Sequence, residues 1–150
     1  MRLHIVAIGR PAPQGSKQLG GAGQLLEQST YLPAWRQAVK IAAFEAYRAA
    51  GIEPAALPLF AATVPVTIEL CTFFVGPDQC RAEGTDEPLG TPDIDKLLRS
   101  TLDALGGQKG GSARLFADDS QVSRIRNLSK ERASAGKPTG AYIVISDGRD

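Results

Sequence analysis

The sequence has few of the residues on which common catalytic and structural centres depend. Its 150 residues include one histidine, His4, and two cysteines, Cys71 and Cys80. A single histidine excludes mechanisms that need a second imidazole, and two cysteines cannot build a disulfide framework or a four-ligand zinc site. No apolar run approaches the roughly 20 residues of a membrane-spanning helix. We therefore expect reduced thiols in a bacterial-type cytoplasm and no membrane partner.

The composition is that of a soluble globular protein. Hydrophobic residues make up 43% of the chain and charged residues 22%, which excludes intrinsic disorder over the whole length. A chain of this size buries a core of its own as one ordinary domain. We expect a single domain over residues 1–150.

The net charge of +1 conceals a segregation of charge along the chain. Residues 1–48 carry six Lys and Arg against two Glu, residues 49–95 carry one Arg against eight acidic residues, and residues 96–150 carry ten Lys and Arg against six. Two basic thirds around an acidic middle indicate either a nucleic-acid binder with an acidic catalytic patch or merely solvated charged faces.

The first half of the chain has two clear strand signals and one clear helix signal. The β-rich run from Leu3 to Ile8 predicts a first strand, and the run from Pro65 to Val75 predicts the strongest one. Residues 9–24, rich in glycine and proline, predict a long loop. A helix is predicted from Tyr31 or Pro33 to Ala50, with Gly51 just beyond its end.

The second half completes an α/β chain. A helix is predicted from about Asp95 to Leu105, and strands from Gln121 to Lys130 and from Ala141 to Ile145. The predicted buried stripe of the helix consists of Leu98, Thr101, Leu102 and Leu105. We expect an α+β fold: a small mixed four-stranded sheet with two to three helices packed on it.

Two pairs of aspartates are the strongest chemical signal. Asp93 and Asp95 flank one apolar residue where a loop enters a helix, so both carboxylates can converge on one point near the positive end of the helix dipole. Asp118 and Asp119 precede a predicted strand. Carboxylates within ~4 Å repel by about 1–4 kcal/mol per pair at effective dielectrics of 80 to 20, and a divalent cation offsets that repulsion. Oxygen ligands without histidine or cysteine favour Mg²⁺ or Mn²⁺.

An ordinary structural interpretation of the same acidic residues remains open. Asp95 suits a helix N-cap, Asp103 suits a surface partner for Arg99, and the Asp118–Asp119 pair suits a turn. Arg99 lies one helical turn after Asp95, so it can pair with that carboxylate or bind a phosphate held by the metal.

Three segments, taken in order, resemble the RusA family of Holliday-junction resolvases, which are endodeoxyribonucleases of phages and prophages. The family signatures Asp-x-Asp-Asn-Leu-x-Lys, Leu-Asp-Ala-Leu and Asp-Asp-x-Gln-Val stand here as Asp93-Ile94-Asp95-Lys96-Leu97-Leu98-Arg99, Leu102-Asp103-Ala104-Leu105 and Asp118-Asp119-Ser120-Gln121-Val122. The opening Gly9-x-Pro11-x-Pro13-x-Gly15-Ser16-Lys17 and the tryptophan-bearing helix after it also resemble the family.

The resemblance implies a metal-dependent nuclease site. It assigns metal binding to Asp93, Asp95 and Asp119, with Asp118 as a weaker candidate, and it places Arg99 where the family has an essential lysine. Arginine keeps the positive charge but cannot give up a proton. Lys96 stands where the family has asparagine. The expected reaction is Mg²⁺-assisted phosphodiester hydrolysis, with Arg99 stabilising charge on the phosphate.

The expected substrate is a four-way DNA junction, cut symmetrically by a homodimer whose two sites act on one branched molecule. Because Lys96 and Arg99 depart from the family pattern, a protein that binds branched DNA without cutting it is the alternative. Basic residues expected to contact DNA are spread over the chain. They are Arg10, Lys17, Arg36, Lys40, Lys96, Arg124, Arg126 and Lys130.

Overall fold

The ten-residue strand β4, Val66–Val75, is the centre of the main sheet. The structure is a computed structural model that describes residues 1–15, 17–19, 25–27, 30–53, 58–80, 87–106 and 115–148, with only the backbone described at 17–19 and 25–27. No residue of β4 is exposed, as expected for a β-branched and aromatic strand that has neighbours along both edges. This strand agrees with the prediction for residues 65–75.

Strand β7, Gly140–Ser146, lies between β4 and the edge strand β1, Arg2–Ile8, and pairs antiparallel with both. Burial alternates strictly along β1, with Leu3, Ile5 and Ala7 in the core. This period of two is that of a strand with one buried face. The predictions for strands at 3–8 and 141–145 are confirmed within one residue at each end.

The other edge of β4 pairs with two short strands rather than one. Strands β5, Val122–Ile125, and β6, Leu128–Arg132, both run parallel to β4. Between them the Arg126 N–H donates to the Ile68 carbonyl, and the Asn127 carbonyl accepts from the Cys71 N–H, at 2.9 and 2.8 Å. The single strand predicted over 121–130 is therefore wrong, because the chain breaks its alternation at these two residues while their backbone groups remain hydrogen-bonded.

A second departure from prediction lies in the glycine-rich stretch near the N-terminus. Strands β2, Lys17–Leu19, and β3, Leu25–Glu27, form an antiparallel pair in which Lys17 lies opposite Glu27. The loop predicted over residues 9–24 is wrong at 17–19. Strands of three residues are too short for an alternating pattern to be recognised in the sequence.

Two helices pack on the sheet and against each other. Helix α1, Leu32–Ala49, begins with Pro33 in its first turn and confirms the predicted helix; Gly51 follows with a φ of 76°. Helix α2, Ile94–Gly106, agrees with the helix predicted over 95–105. The buried Trp35 indole N–H donates to the Thr101 hydroxyl at 3.2 Å, which joins the two helices.

The buried stripe of α2 is rotated by about one position from the predicted one. Leu97, Ser100, Thr101, Ala104 and Leu105 are buried, whereas Leu98 and Leu102 are only partly so. The segment after β1 explains the rotation, because the Ser100 hydroxyl donates to the Ala12 carbonyl at 2.7 Å and the Gln14 N–H donates to the Lys96 carbonyl at 3.0 Å. This segment covers a polar face of α2 that the sequence pattern left to solvent.

Within the described residues the main sheet has five strands, one more than predicted, and the α+β class is confirmed. Neither of the two long helices in these ranges is apolar enough to cross a membrane. The topology brings the start of α2 beside β6, and that junction carries the acidic residues that the sequence singled out.

Candidate functional site

Asp93 and Asp95 lie where the chain enters α2. The Asp93 carbonyl accepts the Leu97 N–H at 3.0 Å, so Asp93 begins the helical hydrogen bonding, and Asp95 follows in the first turn. Both residues are exposed. They line one surface depression of about 480 Å³, which we call the acidic depression, together with Glu87, Gly90 and Lys130. Both predicted metal-binding residues therefore line the same depression, and the convergence of their carboxylates on one ion stays a prediction.

Lys130 is the cation built into the acidic depression. Its strand position on β6, opposite Phe73, directs it to the loop that precedes α2. There the ammonium donates to the carbonyls of Gly90 and Pro92, each at 2.9 Å. The sequence assigned Lys130 to DNA contacts only, and no signal in the chain indicated that it ties β6 to the loop carrying Asp93.

Two further cations lie along the same end of α2. The Lys96 ammonium is 3.7 Å from a carboxylate oxygen of Asp93. The Arg99 guanidinium lies against the backbone of Gly15, where a Cβ would be 2.7 Å from its Nη1. Gly15 also has a φ of 104°, which side chains rarely adopt. A glycine at this position therefore lets the N-terminal segment and Arg99 approach each other.

The second aspartate pair is built into a tight turn. Asp118 precedes a 3₁₀ turn, Asp119–Gln121, and one of its carboxylate oxygens accepts the Ser120 N–H at 2.8 Å. The hydrogen bonds from Ser120, first its side chain and then its backbone, lower the pKa of Asp118. The Gln121 side-chain oxygen accepts the Asp118 N–H at 2.9 Å. This geometry matches the turn that the sequence left open as an interpretation of the Asp118–Asp119 pair.

The structure brings two of the three predicted metal-binding aspartates together. Among the residues it describes, no group of three or more histidine, cysteine, aspartate or glutamate side chains is close enough to hold a metal ion. Asp93 and Asp95 share the acidic depression, while Asp119 stands on the turn, which contacts α2. Asp119 is therefore not grouped with Asp93 and Asp95 in the described part of the chain.

The acidic pair nevertheless has the oxygen chemistry that a hard divalent cation takes. Mg²⁺ in proteins is often held by one or two carboxylates together with substrate phosphates and water. Asp93 and Asp95 supply two carboxylates on an exposed surface, and no side-chain hydrogen bond or ion pair joins Asp95 to another described residue. The donor set therefore fits Mg²⁺ or Mn²⁺ as a two-carboxylate site.

The predicted DNA contacts fall into two groups. Some are engaged with acidic partners: Arg10 with Asp78, Arg36 with Asp103 at 3.6 Å, and Arg126 with Glu69 at 3.3 Å. Asp103 thus pairs with Arg36 rather than with Arg99 as the structural interpretation had it. Arg124 is exposed and Lys40 is half-buried, and the Lys17 side chain lies outside the described part of the chain.

Sequence reasoning missed Tyr31 as a surface group. Its ring is 52% exposed, and the Arg10 guanidinium lies 4.3 Å from the ring centroid. The signal was an aromatic residue directly before the first turn of α1, where the chain leaves a loop. Sequence pattern alone cannot show that Arg10, from a distant segment, reaches it.

Comparison with known proteins adds no family assignment. No protein-family model and no curated protein matches the chain. The likeness to RusA resolvases therefore consists of its motifs and their order.

Proposed function

We propose that this protein is a Mg²⁺-dependent endodeoxyribonuclease that resolves four-way DNA junctions. The observation that carries the proposal is the acidic depression itself, in which Asp93 and Asp95 lie beside the Lys130 ammonium at the start of α2. Phosphodiester hydrolysis needs ion-binding oxygens next to positive charge that stabilises the phosphate. Mn²⁺ is acceptable to the same ligands.

The residues of the site divide the proposed chemistry among them. Asp93 and Asp95 hold the divalent ion, which when bound polarises the phosphate and lowers the pKa of a bound water. The Arg99 guanidinium forks to phosphate oxygens and stabilises the charge that develops there. Lys130 fixes the loop that presents Asp93, since its ammonium holds the carbonyls of Gly90 and Pro92.

The substrate and assembly follow from the motifs and from charge. The resemblance points to branched DNA, and the basic first and last thirds of the chain supply cations for the DNA backbone. A four-way junction offers two symmetry-related strands to cut, which suits a homodimer with one site per strand. Such an enzyme works in the cytoplasm of a bacterial or phage-infected cell, in recombination and repair of DNA.

A junction-cleavage assay tests this function. The protein is incubated with a synthetic four-way junction, a fork and a linear duplex of the same sequence, with Mg²⁺ and with a chelator instead. We expect paired symmetric nicks in the junction, only with the metal, and little cutting of the duplex. Equal cutting of fork and junction would replace junction resolution with a broader branched-DNA nuclease, and no cutting of any substrate would refute the nuclease.

A second candidate function is a branched-DNA-binding protein that does not cut. The observation that favours it is the Lys96 ammonium, 3.7 Å from a carboxylate oxygen of Asp93, where the resembled family has asparagine. In the same assay this protein would retard the junction at every Mg²⁺ concentration and leave it intact.

A further inference from the structure

A cleft of about 630 Å³ adjoins the acidic depression, and the proposed chemistry gives no role to its Arg10, Tyr31, Asp78 and Gln79. Gly90 lines both, so the loop before α2 forms the wall between them. The opposite side of the cleft is made by Arg10 and Tyr31, and by Asp78 and Gln79 after β4. A cleft of this volume is in the range of small-molecule binding sites.

Arg10 and Tyr31 form a stacked pair in the lining of the cleft. The Arg10 guanidinium lies 4.3 Å from the centroid of the Tyr31 ring and forms an ion pair with Asp78. That hydrogen bond from Arg10 also lowers the pKa of Asp78, so the pair stays charged. Because its charge is already matched by Asp78, Arg10 is better suited to present its plane than to neutralise a phosphate.

Hydrogen bonds hold part of the cleft lining together. Gln79 is buried, its amide nitrogen donates to the Pro11 carbonyl at 2.9 Å, and its amide oxygen accepts the Gly76 N–H at 3.1 Å. These bonds tie the end of β4 to the segment that carries Arg10. Tyr31 is 52% exposed and lines the same cleft, so its ring is available for contact there.

We propose that this cleft takes one unpaired nucleobase, stacked on the Arg10–Tyr31 pair, from the DNA strand that lies across the acidic depression. Aromatic rings and arginine planes are the surfaces on which proteins stack unpaired bases, whatever their sequence. The proposal rests on the proposed function for the presence of DNA, and it adds that the branch is recognised through a base that leaves its pair.

A matched control pair, Arg48 and Phe44, lies on α1, the helix that Tyr31 precedes. Arg48 lies over Phe44 with 5.3 Å to the ring centroid, and Phe44 is 38% exposed. This pair has the same chemistry as Arg10–Tyr31, but it does not line the cleft or the acidic depression. A change in DNA binding that Tyr31→Leu causes and Phe44→Leu does not is therefore attributable to the cleft.

The test measures DNA binding in a chelator, so that cleavage plays no part. Fluorescence anisotropy gives the affinity for a four-way junction and for junctions with one abasic nucleotide, placed in turn at each position next to the branch. We expect one position at which loss of the base weakens binding of the unmodified protein and of Tyr31→Phe about tenfold. Tyr31→Leu should bind the two junctions equally, and Phe44→Leu should discriminate as the unmodified protein does.

Cys80 provides a second measurement that needs no variant. It lines the cleft and is only partly buried, whereas Cys71 is buried and its pKa is raised to about 12 by that burial. Only Cys80 should therefore react readily with a maleimide at neutral pH. We expect the intact junction to slow this reaction severalfold more than the abasic junction does.

The outcomes separate this inference from the proposed function. If the junction binds but no abasic position matters, or Tyr31→Leu still discriminates, or labelling of Cys80 is unaffected, the base-binding cleft is refuted and the nuclease proposal stands. If base-dependent binding is seen without any cleavage in Mg²⁺, the cleft stands and the nuclease proposal fails. If no branched DNA binds at all, both are refuted.

Discussion

The two aspartate pairs of this protein look alike in sequence and differ in what their carboxylates do. Asp93 and Asp95 stand at the entrance to α2 and line a depression with Lys130. Asp118 and Asp119 stand at the entrance to a 3₁₀ turn, where an oxygen of Asp118 accepts the N–H of Ser120. All four residues are exposed, so the difference lies in their partners: the first pair lies beside a cation, whereas Asp118 of the second pair is bonded to the backbone of its own turn.

The difference teaches that an aspartate next to a helical start has two competing uses. Short acidic side chains readily accept the orphan N–H groups of a first turn, and a carboxylate so engaged is less available to a ligand. At α2 the Asp93 backbone carbonyl, rather than its side chain, enters the helical bonding. The side chains of this pair are therefore left for other partners.

The largest expected effect comes from removing a carboxylate of the acidic depression. Asp95→Asn keeps the shape of the side chain but removes the charge that a divalent ion needs. We expect Mg²⁺-dependent junction cleavage to fall on the order of 10²-fold or more, with junction affinity in a chelator changed little. Single-turnover cleavage and anisotropy measure the two quantities separately.

A neighbouring carboxylate on β6 serves as the control for that variant. Glu131 is exposed and lines a different depression on the surface. Glu131→Gln should cleave as the unmodified protein does. Full activity in Asp95→Asn would show that the acidic depression is not the catalytic site. The proposed functional difference between the two aspartate pairs would then be wrong.

Asp119→Asn tests whether the turn joins the site when the ion is present. The resemblance assigns Asp119 to metal binding, and its turn contacts α2, but the structure does not group it with Asp93 and Asp95. We propose that it completes the ligand set in the bound state. The Mg²⁺ concentration for half-maximal cleavage should then rise about 10–100-fold, with much of the rate recovered at high Mg²⁺.

The same titration on Asp95→Asn should show no such recovery. This difference would distinguish Asp95, which belongs to the acidic depression in the free protein, from Asp119, which would join it only when the ion binds. An unchanged Mg²⁺ dependence in Asp119→Asn would make the turn purely structural and leave the acidic depression as a two-carboxylate site.

Substitution of Lys130 should have a smaller effect on cleavage, because Lys130 positions the loop before α2 and does not bind the metal ion itself. Lys130→Met keeps much of the side-chain length but loses both hydrogen bonds to the loop before α2. We expect cleavage to fall about tenfold, as for other residues that orient metal ligands. Lys130→Arg should recover part of the rate, because it restores a donor to the loop. Equal losses in both variants would mean that the loop holds its place without these bonds.

The sequence was informative where burial is periodic and uninformative where distant segments meet. Runs rich in β-forming residues predicted β1, β4 and β7, and the spacing of apolar residues predicted both helices. The break between β5 and β6 escaped because Arg126 and Asn127 bond to β4, a partner that local pattern does not reveal.

The candidate site likewise has features that local sequence predicted and others that depend on contacts between distant segments. Asp93 and Asp95 line one depression at the start of α2, and their spacing at one helix start predicted that they would share a surface. The anchoring of Lys130 on the carbonyls of the loop before α2, and the closeness of Arg99 to Gly15, depend on tertiary packing. No property of the separate segments encodes those contacts.

The smallest expected effect is on stability, and it concerns Asp118 in the 3₁₀ turn. Asp118→Ala removes the acceptor for the Ser120 N–H and should lower stability slightly without changing cleavage. Since those bonds lower the pKa of Asp118 from its ordinary 3.8, the stabilisation is present above pH 3.8 and is lost as the pH falls through the lower folded-state pKa. Urea midpoints of the two proteins should therefore differ at neutral pH and converge in acid. A gap that persists or widens in acid would show that the Asp118 carboxylate does not stabilise the turn through its charge.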